Sequence, residues 1–347
     1  MSEGRPLPHA DRQIAIWLLI CALAVFALVV LGGVTRLTHS GLSMVDWQPI
    51  LGVIPPLTQE AWQAAFDAYK QYPEYQKVNA GMSLDGFKSI FWFEYAHRLV
   101  GRGIGFLFAV PLLYFLLRGY VRRPFIPKLV GLFLLGGLQG LMGWYMVQSG
   151  LVDDPKVSQY RLTAHLALAV VIYGYMLWLA LDLLAPRTPE RSRGNRFAYA
   201  VSITLFVMIL SGGFVAGTRA GLLYGTWPLM GESFFPAGLY ATDPFWLAAL
   251  EDVVTIQFNH RLLAYLSVGV VGCFAWLTLR EGATGKVRVG IFALVLTLLA
   301  QLGLGIATLL YRVPIDLAAM HQGMALVLFA SSLYLSHTLR LPGSNPG

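Results

Sequence analysis

The chain has 347 residues, of which 56% are hydrophobic and only 12% are charged. A water-soluble domain typically carries about 25% charged residues, so this composition excludes an ordinary soluble protein and indicates that lipid surrounds most of the chain. The net charge of +7 does not indicate nucleic-acid binding, because the basic residues outside the apolar segments lie mainly on one side of the predicted membrane.

Eight apolar segments are long enough to cross a bilayer as helices, which requires about 20 residues. In chain order they are residues 14–34, 91–117, 125–147, 162–184, 197–216, 254–279, 289–311 and 317–339. The first is too long for the core of a signal peptide and lacks a clear small-residue cleavage site. The sequence therefore predicts an all-α membrane protein with eight transmembrane helices.

The distribution of charge predicts the orientation of these helices. One set of ends and loops carries 14 of the 25 basic residues against five acidic ones, and the other side carries 11 basic and 13 acidic residues. By the positive-inside rule, both termini and the loops at 118–128, 185–196 and 280–288 are expected in the cytoplasm. The short N-terminus contains acidic residues, unlike a mitochondrial transit peptide, which favours a bacterial inner membrane.

The sequence contains the same four-helix pattern twice. The string EYAHRL at 94–99 in the second predicted helix matches QFNHRL at 257–262 in the sixth. Further matches are Gly32-Gly33 with Gly212-Gly213, Thr35-Arg36 with Thr218-Arg219, Gln139 and Gly143 with Gln301 and Gly305, and TAHL at 163–166 with AMHQ at 319–322. Because each repeat has an even number of helices, both halves are expected to enter the membrane the same way round.

These repeats divide the chain into two pseudo-symmetric four-helix bundles. The predicted N-terminal half is 1–184, with a long outer loop at 37–90, and the predicted C-terminal half is 197–347. Residues 185–196 would link them in the cytoplasm. Two short amphipathic helices are expected on the outer membrane surface: one contains Trp62, Ala65, Phe66 and Tyr69, and the other follows Asp243-Pro244 as N-cap and first-turn residues, with Phe245, Trp246 and Leu250.

Of the seven histidines, His9 and His337 lie near the ends of the chain and His39 lies in a loop. The other four are His97, His165, His260 and His321. Each stands about one to two turns inside the outer end of an even-numbered helix, two in each repeat. A single membrane histidine often serves an interhelical hydrogen bond, but four at matched depth are hard to explain by packing. Paired imidazoles without a thiolate or carboxylate set suit haem iron, so one haem site is expected in each half.

Glycines and arginines accompany the four histidines. Glycines follow His97 and line the third and seventh predicted helices, where they could make room for a flat macrocycle or permit close helix packing. Arg98 and Arg261 directly follow their histidines. They could bind haem propionates through charge-assisted hydrogen bonds or extend to the membrane interface, and the sequence leaves both interpretations open.

The two copies of the repeat differ at one polar position near the histidines. Glu94 lies three residues before His97, on the same helix face and one turn toward the outside, whereas Gln257 takes this place beside His260. A carboxylate near a helix N-terminus is stabilised by the helix dipole, which is one explanation. The other is that the half with the carboxylate performs chemistry while the other half holds a cofactor.

These residues carry a resemblance to the haem A synthase family of bacteria and mitochondria. It extends from about residue 32 to residue 322. The most specific strings are GGVTRLTHSGLSMVDWQPILGVIPP at 32–56, FWFEYAHRLVGRGIG at 91–105, GLMGWYMVQSGL at 140–151, YRLTAHL at 160–166, VTIQFNHR at 254–261 and LAAMHQ at 317–322. Two departures stand out: the outer loops lack the cysteine pair of some members, and AGTRAGLLYGTWPLMGE at 216–232 differs from the family's usual Asp-Ala-Gly and Asn-Thr-Phe-Pro forms.

The resemblance implies an oxidoreductase that converts haem O to haem A for terminal oxidases. One ring methyl of haem O would become a formyl group through successive hydroxylations. His260 and His321 would ligate the iron of a resident haem B. Arg98 and Arg261, from their positions directly after the histidines, are further candidate cofactor-binding residues. His97 and His165 would receive the iron of haem O, and Glu94 would be the catalytic carboxylate.

Two other classes of protein remain as alternatives at this point. A di-haem electron carrier of the cytochrome b type also uses paired histidines, but usually stacks two on each of two helices across the membrane. A transporter also suits two repeats of four helices, yet the sequence shows no interrupted helix pair at mid-membrane. The expected partners are haem O, haem A and the lipid bilayer, with haem O synthase, oxidase assembly factors and a homo-oligomer as open candidates and no nucleic acid.

Overall fold

A computed structural model describes residues 8–45, 51–153, 155–184 and 194–340. Within these ranges eight helices are long and apolar enough to span a membrane, which confirms the predicted fold class. They are α1 (Pro8–Leu37), α2 (Leu84–Leu117), α3 (Ile126–Gln148), α4 (Gln159–Leu184), α5 (Gly194–Thr218), α6 (Val253–Arg280), α7 (Gly285–Leu310) and α8 (Ile315–Thr338). All four membrane histidines lie toward the ends of the helices where α2, α4, α6 and α8 begin, called here the histidine end.

Each half of the chain forms a ring of four helices. In the first half α1 packs on α2 and α4, and α3 packs on the same two helices; in the second half α5 packs on α6 and α8, and α7 packs on the same two. The halves meet where α4 contacts α5 and α8, and where α1 contacts α8. This pattern is compatible with two pseudo-symmetric bundles, and the division of the chain into domains stays a prediction.

Helix α2 is longer than its apolar segment. It begins at Leu84, seven residues before the predicted start, and the Ser83 hydroxyl caps it by accepting a hydrogen bond from the Gly86 N–H at 3.1 Å. His97 therefore lies between three and four turns inside its helix, deeper than predicted. The other three histidines lie about two turns inside theirs, as expected.

The extra turns of α2 are covered by a short helix in the first long loop, Gln59–Tyr69. Phe66 stacks on Phe87 with ring centroids 5.1 Å apart, and Tyr69 is fully buried beside the same ring. The predicted amphipathic helix is therefore present, but its apolar face packs on protein. Its location on the outer membrane surface stays a prediction, and its packing on α2 was not predicted because the sequence does not show that α2 extends out to meet it.

The second long loop contains a shorter helix, Phe245–Glu251. Its N-cap is Pro244, which makes no side-chain capping bond, so the prediction that Asp243 caps this helix was wrong. Phe245 and Trp246 are largely exposed. Most of the predicted linker and Trp47 of the first loop lie outside the described residues.

The end of the bundle opposite the histidines is joined by a polar cluster that the sequence did not reveal. His337, expected only as a residue near the chain end, is buried in the last turn of α8, with its Nε2 3.0 Å from Oδ1 of Asp182 in α4. The Arg340 guanidinium donates to the same carboxylate oxygen. This cluster connects the two halves, because α4 and α8 belong to different rings.

Candidate functional site

Each membrane histidine lies against a glycine of the neighbouring helix. A methyl group on Gly32 would stand 2.9 Å from Cε1 of His97, and one on Gly143 would stand 3.0 Å from Cε1 of His165. In the second half, a methyl group on Gly212 would stand 3.5 Å from Cε1 of His260, and one on Gly305 would stand 2.8 Å from Cε1 of His321. The four imidazoles therefore occupy equivalent places, and three of these glycines have no room for a side chain while the ring stays in place.

All four rings turn Nδ1 toward the protein. The Nδ1 atoms of His97, His165 and His321 are buried without a hydrogen-bond partner among the described residues, and Nδ1 of His260 is 2.7 Å from the Ser211 hydroxyl. Each of the four histidines as a whole residue is only half-buried. Their accessible part therefore excludes Nδ1, which is the arrangement expected of imidazoles that bind a ligand through Nε2.

The helices that carry each histidine pair lie diagonally across their ring. Helices α2 and α4 are both packed on α1 and α3 but are not among each other's principal neighbours, and the same is true of α6 and α8. In the described part of the chain, no group of three or more histidine, cysteine or carboxylate side chains could hold a metal ion. One imidazole from each of two diagonal helices is a donor set that suits the iron of a haem.

Two glutamines stand beside the histidines of α4 and α8. Gln139 donates to the backbone carbonyl of His165 at 3.1 Å and has its Nε2 3.4 Å from the His165 Nε2. Gln301 has its Nε2 3.5 Å from the His321 Nε2. The sequence repeat had matched these glutamines, and the structure brings both to the predicted histidine sites.

Glu94 is buried and connects α2 to the first long loop. Its Oε2 accepts hydrogen bonds from the Ser43 hydroxyl and the Met44 N–H, both at 2.8 Å, and its Oε1 accepts one from Arg98 at 2.6 Å. Only 3% of the residue is exposed. The carboxylate is therefore held by three donors and its charge is balanced by one guanidinium group.

Gln257 makes the equivalent connection in the second half. Its Oε1 accepts from the Tyr224 N–H at 3.2 Å, and its Nε2 donates to the Tyr224 carbonyl at 3.0 Å. Met44 and Tyr224 are thus equivalent positions of the two loops. The amide preserves the attachment of loop to helix and removes only the charge.

Both arginines that follow the histidines bind the long loops. Arg98 donates to the Met44 carbonyl at 2.8 Å, and Arg261 donates to the carbonyls of Tyr224, Thr226 and Leu229 at 2.9 to 3.0 Å. Neither arrangement is the simple extension toward the interface considered from the sequence. Binding of haem propionates by these two residues stays a prediction.

The structure of the two long loops shows that one match between the sequence repeats was wrong. His39 and Arg219 both adopt left-handed backbone angles, with φ of 53° and 58°, directly after Thr38 and Thr218. Each of those threonines donates to the carbonyl four residues earlier, at 2.9 Å and 2.8 Å. Thr218 is therefore equivalent to Thr38, and the apparent match between the Thr-Arg pairs at 35–36 and 218–219 is three residues out of register.

A cavity of about 430 Å³ opens beside the Glu94 connection. Its apolar wall is formed by residues 54–57 and the helix Gln59–Tyr69, and its basic groups are Arg98 and Arg102. None of the four histidines lines it. It is therefore a neighbour of the histidine site at the surface of the first half rather than part of that site.

Glu74 is a buried carboxyl group near Glu94 that the sequence did not single out. It lies on the short helix Pro73–Lys77, is 6% exposed, and has a buried Oε2 without a hydrogen-bond partner in the described residues. Burial raises the pKa of Glu74 to about 8; the negative charge of Glu94 acts in the same direction and Arg219 opposes it. Glu74 is therefore expected to be largely protonated near neutral pH.

The chain is similar to known proteins over nearly its whole length. Residues 15–333 match the model of the COX15-CtaA family, described as cytochrome oxidase assembly protein. The chain is 53% identical over 336 residues to "Heme A synthase" of Nitrosospira multiformis, covering 95% of this chain and 94% of that protein. It is 47% identical over 332 residues to "Heme A synthase" of Nitrosomonas eutropha, covering 94% and 93%, and 44% identical over 349 residues to "Heme A synthase COX15" of Arabidopsis thaliana, covering 96% and 76%.

Proposed function

This chain belongs to the COX15-CtaA family and is a membrane-bound oxidoreductase of haem A synthesis with haem O as its substrate, and we propose that its two halves divide the task. In this proposal the first half oxidises haem O between His97 and His165. The second half holds a resident haem B between His260 and His321. The observation that carries the division is the exchange of Glu94 for Gln257 at equivalent connections between loop and helix.

The residues of the second half fit a haem. His260 and His321 lie on diagonal helices of the second ring, and their glycine neighbours permit the imidazoles to sit close to the helix backbones. Two imidazole ligands suit low-spin haem iron. When bound there, haem B would supply one-electron redox chemistry, while the protein contributes the ligands and their orientation.

In the first half the protein's contribution is a fixed negative charge next to the substrate site. Both oxygens of Glu94 accept hydrogen bonds, and one is paired with Arg98. This engagement favours an electrostatic role over proton abstraction, because the charge is held in one orientation before substrate arrives. A charge so fixed would stabilise positive charge that develops on the ring methyl as it is oxidised in successive hydroxylations to the formyl group.

The histidine end is proposed to face outward from a bacterial inner membrane. The support is the excess of basic residues on the opposite loops, which favours a cytoplasmic location of both termini. Transfer of haem O from haem O synthase, delivery of haem A to oxidase assembly factors and assembly into a homo-oligomer also remain proposals.

Pigments of the purified full-length protein test the division of the two halves. The wild-type protein should contain haem B together with haem O or haem A. His260→Ala and His321→Ala should abolish the reduced absorbance bands of haem B, whereas His97→Ala and His165→Ala should retain them. Loss of haem B only in the His97 or His165 variants would show that the halves are assigned the wrong way round, and haem B alone in the wild-type protein would indicate an electron carrier.

A further inference from the structure

The two halves also differ in how they hold the first histidine of each pair. Gly32 and Gly212 contact His97 and His260 in the same manner, so the residues directly before these glycines are equivalent. They are Leu31 in the first half and Ser211 in the second. The second half thus offers a hydroxyl group where the first half offers a hydrocarbon side chain.

The Ser211 hydroxyl lies 2.7 Å from Nδ1 of His260 and 2.8 Å from the carbonyl oxygen of Met208. A carbonyl oxygen can only accept a hydrogen bond, and a serine hydroxyl has a single hydrogen to donate. Both contacts are satisfied when Ser211 donates to Met208 and accepts from an N–H at Nδ1. The proton of the imidazole is then on Nδ1, and Nε2 has its lone pair free for iron.

His97 has no such partner. Its Nδ1 is buried without a hydrogen-bond partner among the described residues, and Leu31 cannot provide one. Nothing in this contact selects a tautomer or a ring rotation for His97. The orientation of His97 is therefore less firmly set than that of His260.

We propose that Ser211 is a positioning residue that would make His260 a permanent ligand of the resident haem iron, and that Leu31 would leave His97 free to release its haem. The inference rests on the proposed division of the two halves. It explains chemically why one of two similar sites would keep its haem and the other would exchange substrate for product. A hydrogen bond from Nδ1 makes the imidazole a stronger donor to iron, and loss of such a partner typically weakens metal binding about 10- to 100-fold.

Ser211→Ala in the full-length, detergent-purified protein tests the positioning role. Transfer of haem B to added apomyoglobin should become about 10- to 100-fold faster, and the reduction potential of haem B should rise because the imidazole donates less electron density to ferric iron. Ser211→Thr, which keeps the hydroxyl group, should restore both properties. Ser202→Ala is the matched control, because Ser202 lies on the same helix and its hydroxyl bonds Ser332 and Ser336 instead of a histidine.

Leu31→Ser tests the other half of the inference. With a hydroxyl beside His97, haem O should pass to apomyoglobin more slowly than from the wild-type protein, as followed by chromatography of the captured haem. Unchanged haem B release and potential in Ser211→Ala, or a Ser211→Thr protein that behaves like Ser211→Ala, would overturn the positioning role while leaving the division of the halves intact. Retention of haem B in His260→Ala would overturn both.

Discussion

Glu94 and Gln257 show how one side chain can combine a structural and a chemical role. Each accepts a hydrogen bond from the backbone N–H of the long loop beside it, so each attaches a loop to a helix. Arg261 remains well bonded next to an uncharged Gln257, because it donates to three loop carbonyls. The second half therefore demonstrates that the attachment does not need a carboxylate, and the charge of Glu94 calls for a separate explanation.

Glu94→Gln is expected to preserve the fold and the haem B while removing most of the activity. The amide can still accept from the Met44 N–H, as Gln257 does from Tyr224, but it carries no charge. Loss of one such electrostatic contribution typically costs about 10²- to 10⁴-fold in rate. Chromatography of haems extracted from cells should show haem O, with any singly hydroxylated intermediate, and little haem A.

The reciprocal variant Gln257→Glu provides the control for this substitution, since it changes the same atoms at the equivalent position and should leave haem A synthesis largely intact. Near-normal haem A in Glu94→Gln would remove Glu94 from the catalytic step. Loss of all haem would assign it a purely structural role.

Glu74 predicts a pH dependence of stability in the first long loop. Its folded-state pKa is raised to about 8 from the ordinary value of 4.5, so between these values the folded protein binds a proton that the unfolded chain has released. The free energy of unfolding should therefore fall as pH rises through this window and level off above about pH 8. Glu74→Gln should reduce this slope, measured from thermal unfolding midpoints in detergent.

Glu60→Gln is the appropriate comparison for that experiment. Glu60 lies on the neighbouring short helix and is exposed, and the pKa of Glu60 is lowered, chiefly by a hydrogen bond from its own backbone N–H. Its contribution changes at a lower pH, outside the window set by Glu74. Identical slopes in the wild-type and Glu74→Gln proteins would mean that Glu74 is ionised in the folded state.

At the scale of elements, close contact between a glycine and a histidine recurs at four helix pairs. It brings a helix backbone against an imidazole and so sets the depth at which the ring lies. Gly305 is the tightest case, because an added methyl group would meet His321 Cε1 at 2.8 Å. A methyl group added to Gly303, on the same helix, would have no neighbouring atom within 4 Å.

Gly305→Ala is accordingly expected to displace His321 and reduce the haem B content of the purified protein. Gly303→Ala should retain normal haem B, and as a helix-interior glycine replaced by alanine it could gain about 0.5–1 kcal/mol of stability. The haem-to-protein ratio from pyridine haemochrome spectra gives the comparison. Equal haem contents in the two variants would show that the His321 ring can move aside without loss of ligation.

The sequence predicted the helices better than the loops, and the reason is physical. A helix in lipid needs about 20 apolar residues, so the bilayer itself imposes the signal. Residues 84–90 are mixed in polarity and carry no such signal, yet they are helical because Phe87 packs on Phe66 and Tyr69. Packing between a loop and a helix end depends on distant residues and could not be predicted from either segment alone.

The candidate site was predictable where both repeats place a polar residue at the matching position, which includes Glu94 and Gln257, where only the charge differs. The four histidines and the glutamines at 139 and 301 could be found in this way. Ser211 could not, because its counterpart is Leu31 and a single serine in an apolar helix commonly bonds its own backbone. The match between the Thr-Arg pairs of the two loops was wrong because Thr35 and Thr38 lie only three residues apart and either could be aligned with Thr218. The left-handed backbone at His39 and Arg219 shows that Thr38 is the equivalent residue.

At the scale of the whole molecule, the two rings are joined by polar contacts at both ends. At the histidine end Arg36 donates to the Gly217 carbonyl at 3.1 Å, and Arg219 lies 3.1 Å from Nδ1 of His39. Deeper in the interface, Gln322 of α8 donates to the Val29 carbonyl of α1 at 3.0 Å. These contacts, with the cluster around Asp182, tie each half to the other beyond the apolar packing of α1, α4, α5 and α8.

The charge distribution predicts how this bundle is oriented in the membrane. Gly119 and Gly282 lie in loops for which the charge distribution predicts a cytoplasmic location, and Asp243 lies in the second long loop at the histidine end. Alkaline phosphatase fused after Asp243 should be active, because the enzyme folds only outside the cytoplasm, and green fluorescent protein at that site should be dark. Fusions after Gly119 and Gly282 should give the opposite pair of results. Activity of the phosphatase at all three sites would contradict the eight-helix topology, whereas a complete reversal would keep the eight helices and place the histidine end in the cytoplasm.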